Sequence, residues 1–173
     1  GLRSIIENYD IFYIDLWGVV HNGITLHKNA IEVLEEITKA NKKYVLLTNA
    51  PRPNRVVKKI LEKMGMSKEI RDKVYSSGEA SLGYLIKNYS NKSFYHIGPT
   101  RDFDLFSDFK KNKSEYIKDS QYLLCTGLFE EQEDDLNYFK DLLKEHIDKI
   151  MICTNPDLIA DKGDRRQLCA GSV

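Results

Sequence analysis

Hydrophobic and polar positions fall into two alternating kinds of block along the chain. Ile11-Phe12-Tyr13-Ile14 is a short unbroken apolar run ending at Asp15, the pattern of a strand buried on both faces, as parallel sheets require. From Asn29 to Ala40 the apolar positions Ala30, Ile31, Val33, Leu34, Ile37 and Ala40 recur every three or four residues, which leaves Glu32, Glu35, Glu36 and Lys39 for the wet face of a helix. Tyr44-Val45-Leu46-Leu47 predicts a second strand, closed by Thr48-Asn49-Ala50-Pro51. A second amphipathic helix carries Val56, Val57, Ile60, Leu61 and Met64, and Gly65 supplies a left-handed stop. Val74-Tyr75-Ser76-Ser77 reads as a third strand, followed by a helix through Ala80, Leu82, Leu85 and Ile86. Strand and helix in strict alternation predict an α/β fold built on a Rossmann-like parallel sheet.

The third helix gives out in the polar run from Lys87 to Lys92, and a boundary is placed there: residues 1–89 form one part, residues 90–173 another. Beyond it the alternation restarts. Phe94-Tyr95-His96-Ile97 predicts a strand, Phe103 to Phe109 a helix, Tyr122-Leu123-Leu124-Cys125 a strand, Glu133 to His146 a long helix and Ile150-Met151-Ile152-Cys153 a strand. The acidic run Glu130 to Asp135 reads as negative charge gathered at a helix start. No repeat of fixed period is evident.

Composition narrows the function classes. The 173 residues are 42% hydrophobic and 30% charged, enough apolar material for a real core. Lys plus Arg (26) cancels Asp plus Glu (26), so no global basic field draws nucleic acid or an anionic membrane to the surface, and any anion is caught locally. No apolar stretch approaches the roughly 20 residues of a membrane helix, and Gly1-Leu2-Arg3-Ser4 leads into a charged segment rather than a signal-peptide core; a cytoplasmic protein is expected. Cys125, Cys153 and Cys169 are odd in number and widely spaced, which fits free thiols better than a disulfide framework or zinc site.

In open parallel sheets the ligand site lies outside the carboxyl ends of the strands. Asp15 ends the first strand and Thr48 the second, so on neighbouring strands the two side chains leave the same edge. A carboxylate beside a hydroxyl and free backbone N–H groups suits a cation-bridged anion, above all a phosphoryl group. The competing reading is that Asp15 and Thr48 merely cap the segments that follow. His96, His27 and His146 show no metal-ligand spacing, and Arg52 and Arg55 suit either an anion or a solvated helix start.

The local sequences bear on that choice. Asp15-Leu16-Trp17-Gly18-Val19, with Leu46-Leu47-Thr48-Asn49 further on, resembles the first two motifs of the haloacid dehalogenase superfamily, in the class with a large cap inserted after the second motif. Cys153-Thr154-Asn155-Pro156-Asp157 and Cys169-Ala170-Gly171-Ser172 look like segments near the end of that cap. The resemblance implies an N-terminal core portion followed by an α/β cap. It implies a magnesium-dependent phosphatase-like hydrolase of a small phosphorylated metabolite, with Asp15 as the catalytic nucleophile that forms an aspartyl phosphate. Magnesium would be held by Asp15 and the backbone carbonyl of Trp17, and phosphate by Thr48 and Asn49. Partners other than the metabolite are not expected, neither nucleic acid nor membrane, although an exposed face on the cap admits a homo-oligomer.

Two departures from the family pattern stand out. Trp17 occupies the place where most relatives carry a second aspartate that protonates the leaving alcohol, work commonly worth about a hundred- to ten-thousandfold in rate. The chain resembles a bacterial branch in which Asp-Leu-Trp-Gly-Val is closely followed by His and Gly, here His21 and Gly23. His21 is one candidate for the missing proton transfer and a packing residue otherwise. The alternative function is therefore a catalytically weak phosphate-ligand binding protein. The second departure is the absence of a recognisable lysine and late acidic pair; Asp157, Asp161 and Asp164 read as loop carboxylates, and Lys162 as no substitute. A fragment of a longer protein, inactive as it stands, is the expectation.

Overall fold

The computed structural model describes residues 2–162 and 165–173, so Asp164 lies outside the described residues. Backbone contacts divide the chain into two compact units, Gly1–Thr48 with Asn54–Ser76, and Asn49–Pro53 with Ser77–Val173.

The first unit is a three-stranded parallel sheet of β1 (Ile11–Asp15), β2 (Lys43–Thr48) and β3 (Val74–Ser76), in that spatial order. The register pairs Ile11 with Lys43, Asp15 with Leu47 and Thr48 with Ser76. Helix α1 (Lys28–Lys39) lies against β2, and α2 (Asn54–Lys63) against β3 and the one-turn α3 (Lys68–Arg71). Gly65, at φ +90, ends α2, and the Met66 N–H donates back to the Leu61 carbonyl at 3.0 Å, as the sequence predicts for a glycine stop.

Successive strand residues alternate between faces. Tyr44, Leu46 and Val74 are buried with the helical Leu34, Ile37, Val57 and Leu61. Among the described residues nothing covers the opposite face: Tyr13 is 68% exposed, and Ile11, Leu47 and Tyr75 are exposed beside it. The expectation that β1 is buried on both faces is corrected here. An apolar run signals a strand, but burial of its second face depends on what else packs there.

The second unit is a parallel sheet of β4 (Phe94–Ile97), β5 (Tyr122–Cys125) and β6 (Ile150–Cys153), with β5 central and buried along its length. Phe94, Tyr122 and Leu124 turn to one core with Leu85, Leu105, Phe106 and Phe109; Ile97, Leu123 and Cys125 turn to the other with Ile117, Leu128, Phe139 and Ala170. Helix α4 (Ser77–Tyr89) belongs to this unit because Leu85 is part of the first of these cores, so the contacts divide the chain just before α4 rather than after Tyr89. The helix expected near Phe103 is a 3₁₀ segment, Thr100–Asn112, broken by non-helical backbone at Phe106 and Phe109.

Helix α5 (Leu136–Leu143) is shorter than Glu133 to His146. Asp135 fixes its start, since its carboxylate accepts the Tyr138 N–H at 3.1 Å, and the acidic residues before it form a separate 3₁₀ turn, Glu130–Gln132. An antiparallel hairpin of β7 (Ile159–Lys162) and β8 (Arg165–Leu168) had no apolar run to announce it, and it places Asp161 on a strand rather than in a loop. Among the described residues no helix is long and apolar enough to cross a membrane.

Candidate active site

The parallel pairing of β1 and β2 brings Asp15 to the carboxyl edge of the sheet opposite Leu47, one residue short of Thr48. Asp15 is exposed and Thr48 half-buried. The ladder runs one step further, the Leu16 N–H donating to the Leu47 carbonyl at 3.0 Å, before buried Leu16 anchors the chain and the loop departs.

That loop is tightly bonded. The Val20 N–H returns to the Leu16 carbonyl at 2.9 Å, the Gly18 N–H reaches the His21 carbonyl at 2.8 Å, and the His27 N–H reaches the Val20 carbonyl at 2.8 Å. Gly18 and Gly23 both take positive φ, +75 and +88, where side chains are disfavoured. A Cβ on Gly23 would lie 2.7 Å from the Trp17 indole, so glycine is also the residue that lets the ring lie over this turn.

Trp17 is partly exposed, and its ring meets His21 edge-on at 5.3 Å between centroids. His21 is buried, and its Nδ1 accepts the Gly23 N–H at 2.9 Å, which leaves the neutral ring's proton on Nε2. Burial lowers its pKa from the ordinary histidine value, the positive charge of His27 adds to the shift, and Asp15 opposes it. His21 thus lies within electrostatic reach of Asp15.

On the other side of β2, Ser76 is buried, and its N–H donates to the Asn54 side chain at 2.9 Å, fixing the start of α2 to the end of β3. Asn49 follows Thr48 directly in the chain and belongs to the second unit, where its amide donates to Asp157 at 2.8 Å. Asp157 sits in the turn after β6, with its own N–H held by Asn155 at 3.0 Å. The segment Cys169–Ser172 closes on the same turn: the Gly171 N–H donates to the Asp157 carbonyl at 3.1 Å, and a Cβ on Gly171 would come within 2.3 Å of the Pro156 carbonyl oxygen. The two late segments singled out in the sequence are therefore one packed feature.

Sequence reasoning missed the pair formed by Arg52 and Asp102. Asp102 is buried and accepts from the Arg52 guanidinium at 3.0 Å; burial pushes its carboxyl up while Arg52 and Thr126 pull it down. Asp102 sits among other polar residues in Thr100-Arg101-Asp102, and only the fold reveals its burial.

Magnesium prefers hard oxygen donors, and the exposed Asp15 carboxylate and the Trp17 carbonyl are of that kind. Among the described residues no three His, Cys, Asp or Glu side chains gather closely enough to hold a metal ion by themselves.

Residues 12–110 match the family model of the haloacid dehalogenase-like hydrolases. The chain belongs to this family. A haloacid dehalogenase-like hydrolase from Brucella suis is similar over 99% of this chain and 65% of its own, with 28% identity and a TM-score of 0.89. A p-nitrophenyl phosphatase from Archaeoglobus fulgidus (18% identity, TM-score 0.70, 94% of this chain and 61% of that one) has the same fold. So does a glycerol phosphate phosphatase from Mycobacterium tuberculosis in complex with magnesium (18%, 0.66, 97% and 51%). The chain spans less than two thirds of the length of each of these similar proteins. No curated protein matches the sequence.

Proposed function

We propose that this chain carries the nucleophile and phosphate-binding segments of a magnesium-dependent phosphatase, acting on a small phosphorylated metabolite through an aspartyl phosphate, with the first unit as core and the second as cap. The observation that carries the reading is the β1–β2 register, which sets the exposed Asp15 carboxylate next to the Thr48 segment at the carboxyl edge of a parallel sheet. Family membership, and the phosphatases named among its structural neighbours, support it.

In this reading an Asp15 oxygen attacks phosphorus, the bond to the ester oxygen breaks and the alcohol departs, taking up a proton. Water then attacks the aspartyl phosphate, releasing phosphate and restoring Asp15. The Thr48 hydroxyl and the Asn49 peptide N–H donate to the phosphoryl oxygens as charge builds. Bound magnesium, held by Asp15 and the Trp17 carbonyl, would supply the positive charge that lets one anion approach another. Because no three His, Cys, Asp or Glu side chains among the described residues gather to complete such a metal site, the chain by itself is expected to be inactive.

Asp15→Asn in the full-length protein tests the assignment, because the amide is isosteric but neither attacks nor binds magnesium well. A thousandfold or larger loss of phosphate-ester turnover is expected, and retention of a tenth of the activity contradicts the role. The second reading, phosphate-ester binding with weak turnover, is favoured by Trp17, whose indole offers no acid or base; binding of a phosphate ester without metal-dependent hydrolysis would establish it.

A further inference from the structure

Cys125 and Cys153 are register partners at the carboxyl ends of β5 and β6. Neighbouring strands run about 4.8 Å apart, inside the Cα range of about 4.4–6.8 Å from which a disulfide closes. The two thiols differ in access. Cys125 is buried, its sulfur 3.7 Å from the Gly127 carbonyl and 3.8 Å from that of Ala170; Cys153 is exposed and donates to the Asn155 carbonyl at 3.1 Å. Cys169, half-buried, lies on the segment that packs on the turn after β6.

We propose that Cys153 and Cys125 form a peroxide-oxidisable dithiol, in which exposed Cys153 reacts first and buried Cys125 resolves the product into a disulfide. The Cys153 thiolate attacks the outer oxygen of a hydroperoxide; a sulfur–oxygen bond forms, the oxygen–oxygen bond breaks, and the alcohol or water leaves with one proton. Cys125 sulfur then attacks the Cys153 sulfenic acid, forming the sulfur–sulfur bond and releasing water that carries off the thiol proton. The two thiols lose two electrons and the peroxide gains them. A small dithiol returns the pair to its reduced state by exchange.

The acidities of the two groups suit this order. The neighbouring Cys125 thiol lowers the Cys153 pKa in spite of partial burial, while the Cys153 neighbour and burial raise Cys125. Conversion of Cys153 to a neutral sulfenic acid removes the anion that kept Cys125 protonated, so the resolving thiol is released by the first step. Cys169 is raised, by burial first and by Asp157 second, and serves as the internal control.

The test uses the intact protein at pH 7, treated with hydrogen peroxide, quenched with N-ethylmaleimide, digested and mapped by mass spectrometry. A Cys125–Cys153 linked peptide pair is expected, reversed by dithiothreitol and retained in Cys169→Ser. In Cys125→Ser, dimedone is expected to label Cys153. Should that variant fail to fold, the wild-type map and the pH profile of iodoacetamide alkylation decide, the Cys153 rate inflecting below the ordinary thiol value. Linkage of Cys153 to Cys169, first oxidation at Cys169, an inflection at the ordinary thiol value of about 8.5, or no linked pair would each overturn the proposal. None of these readouts involves phosphate-ester turnover, so they stand or fall separately from the phosphatase reading.

Discussion

In the proposed phosphatase reading, Trp17 and His21 occupy the loop where proton transfer is needed, and their surroundings limit what each can do. The His21 Nδ1 is taken by the Gly23 N–H, so proton transfer by this ring would have to run through Nε2, and burial favours the neutral form. Trp17→Asp in the full-length protein is expected to raise turnover of alkyl phosphates more than that of p-nitrophenyl phosphate, whose leaving group scarcely needs protonation. Equal effects on the two substrates would show that the missing acid was not limiting. His21→Asn separates the two roles of the histidine: loss of a pH-rate limb marks proton transfer, whereas a uniform fall at every pH marks bracing of Trp17. The places of Asp15 and Thr48 at strand ends were legible because each follows an apolar run. The Trp17–His21 contact and the Gly23 clearance were not, since they arise from how one turn folds back on another.

Strand β4 carries a histidine where an apolar residue is expected. His96 is buried, its Nε2 bonded to the Thr126 hydroxyl at 2.8 Å and its ring set against Phe106 and Phe103. Burial, aided by the positive charge of Lys113, takes its pKa down to about 3. The unfolded chain, with an ordinary value of about 6.5, binds more protons than the folded one, so stability is complete above pH 6.5 and is lost as pH falls toward 3. Between pH 6.5 and 5 the loss is expected to be about 2 kcal/mol, read from urea unfolding followed by circular dichroism, and His96→Gln is expected to flatten that slope. His21 contributes in the same direction. The parallel strands were legible as short runs rich in apolar residues, in spite of Ser76 on β3 and His96 on β4. The β7–β8 hairpin was not, since its strands hold Asp161, Lys162, Arg165, Arg166 and Gln167 and pair through the backbone instead.

At the scale of the whole chain, the α/β alternation was legible and the partition into units less so: a polar run marks the end of a helix, whereas unit membership depends on which core receives Leu85. The same topology governs the order in which structure can form. Ile11 pairs with Lys43, Leu46 with Val74, Phe94 with Tyr122 and Tyr122 with Ile150, so each parallel ladder waits for a helical crossover to be traversed. Loops of this size must close before any of their contacts repay the lost entropy. Refolding of the intact protein, followed by stopped-flow fluorescence, is therefore expected in milliseconds to seconds, and completion within about 100 microseconds would contradict it. During synthesis the segment bearing Asp15 can pair with β2 only once Lys43–Thr48 has followed it out of the ribosome.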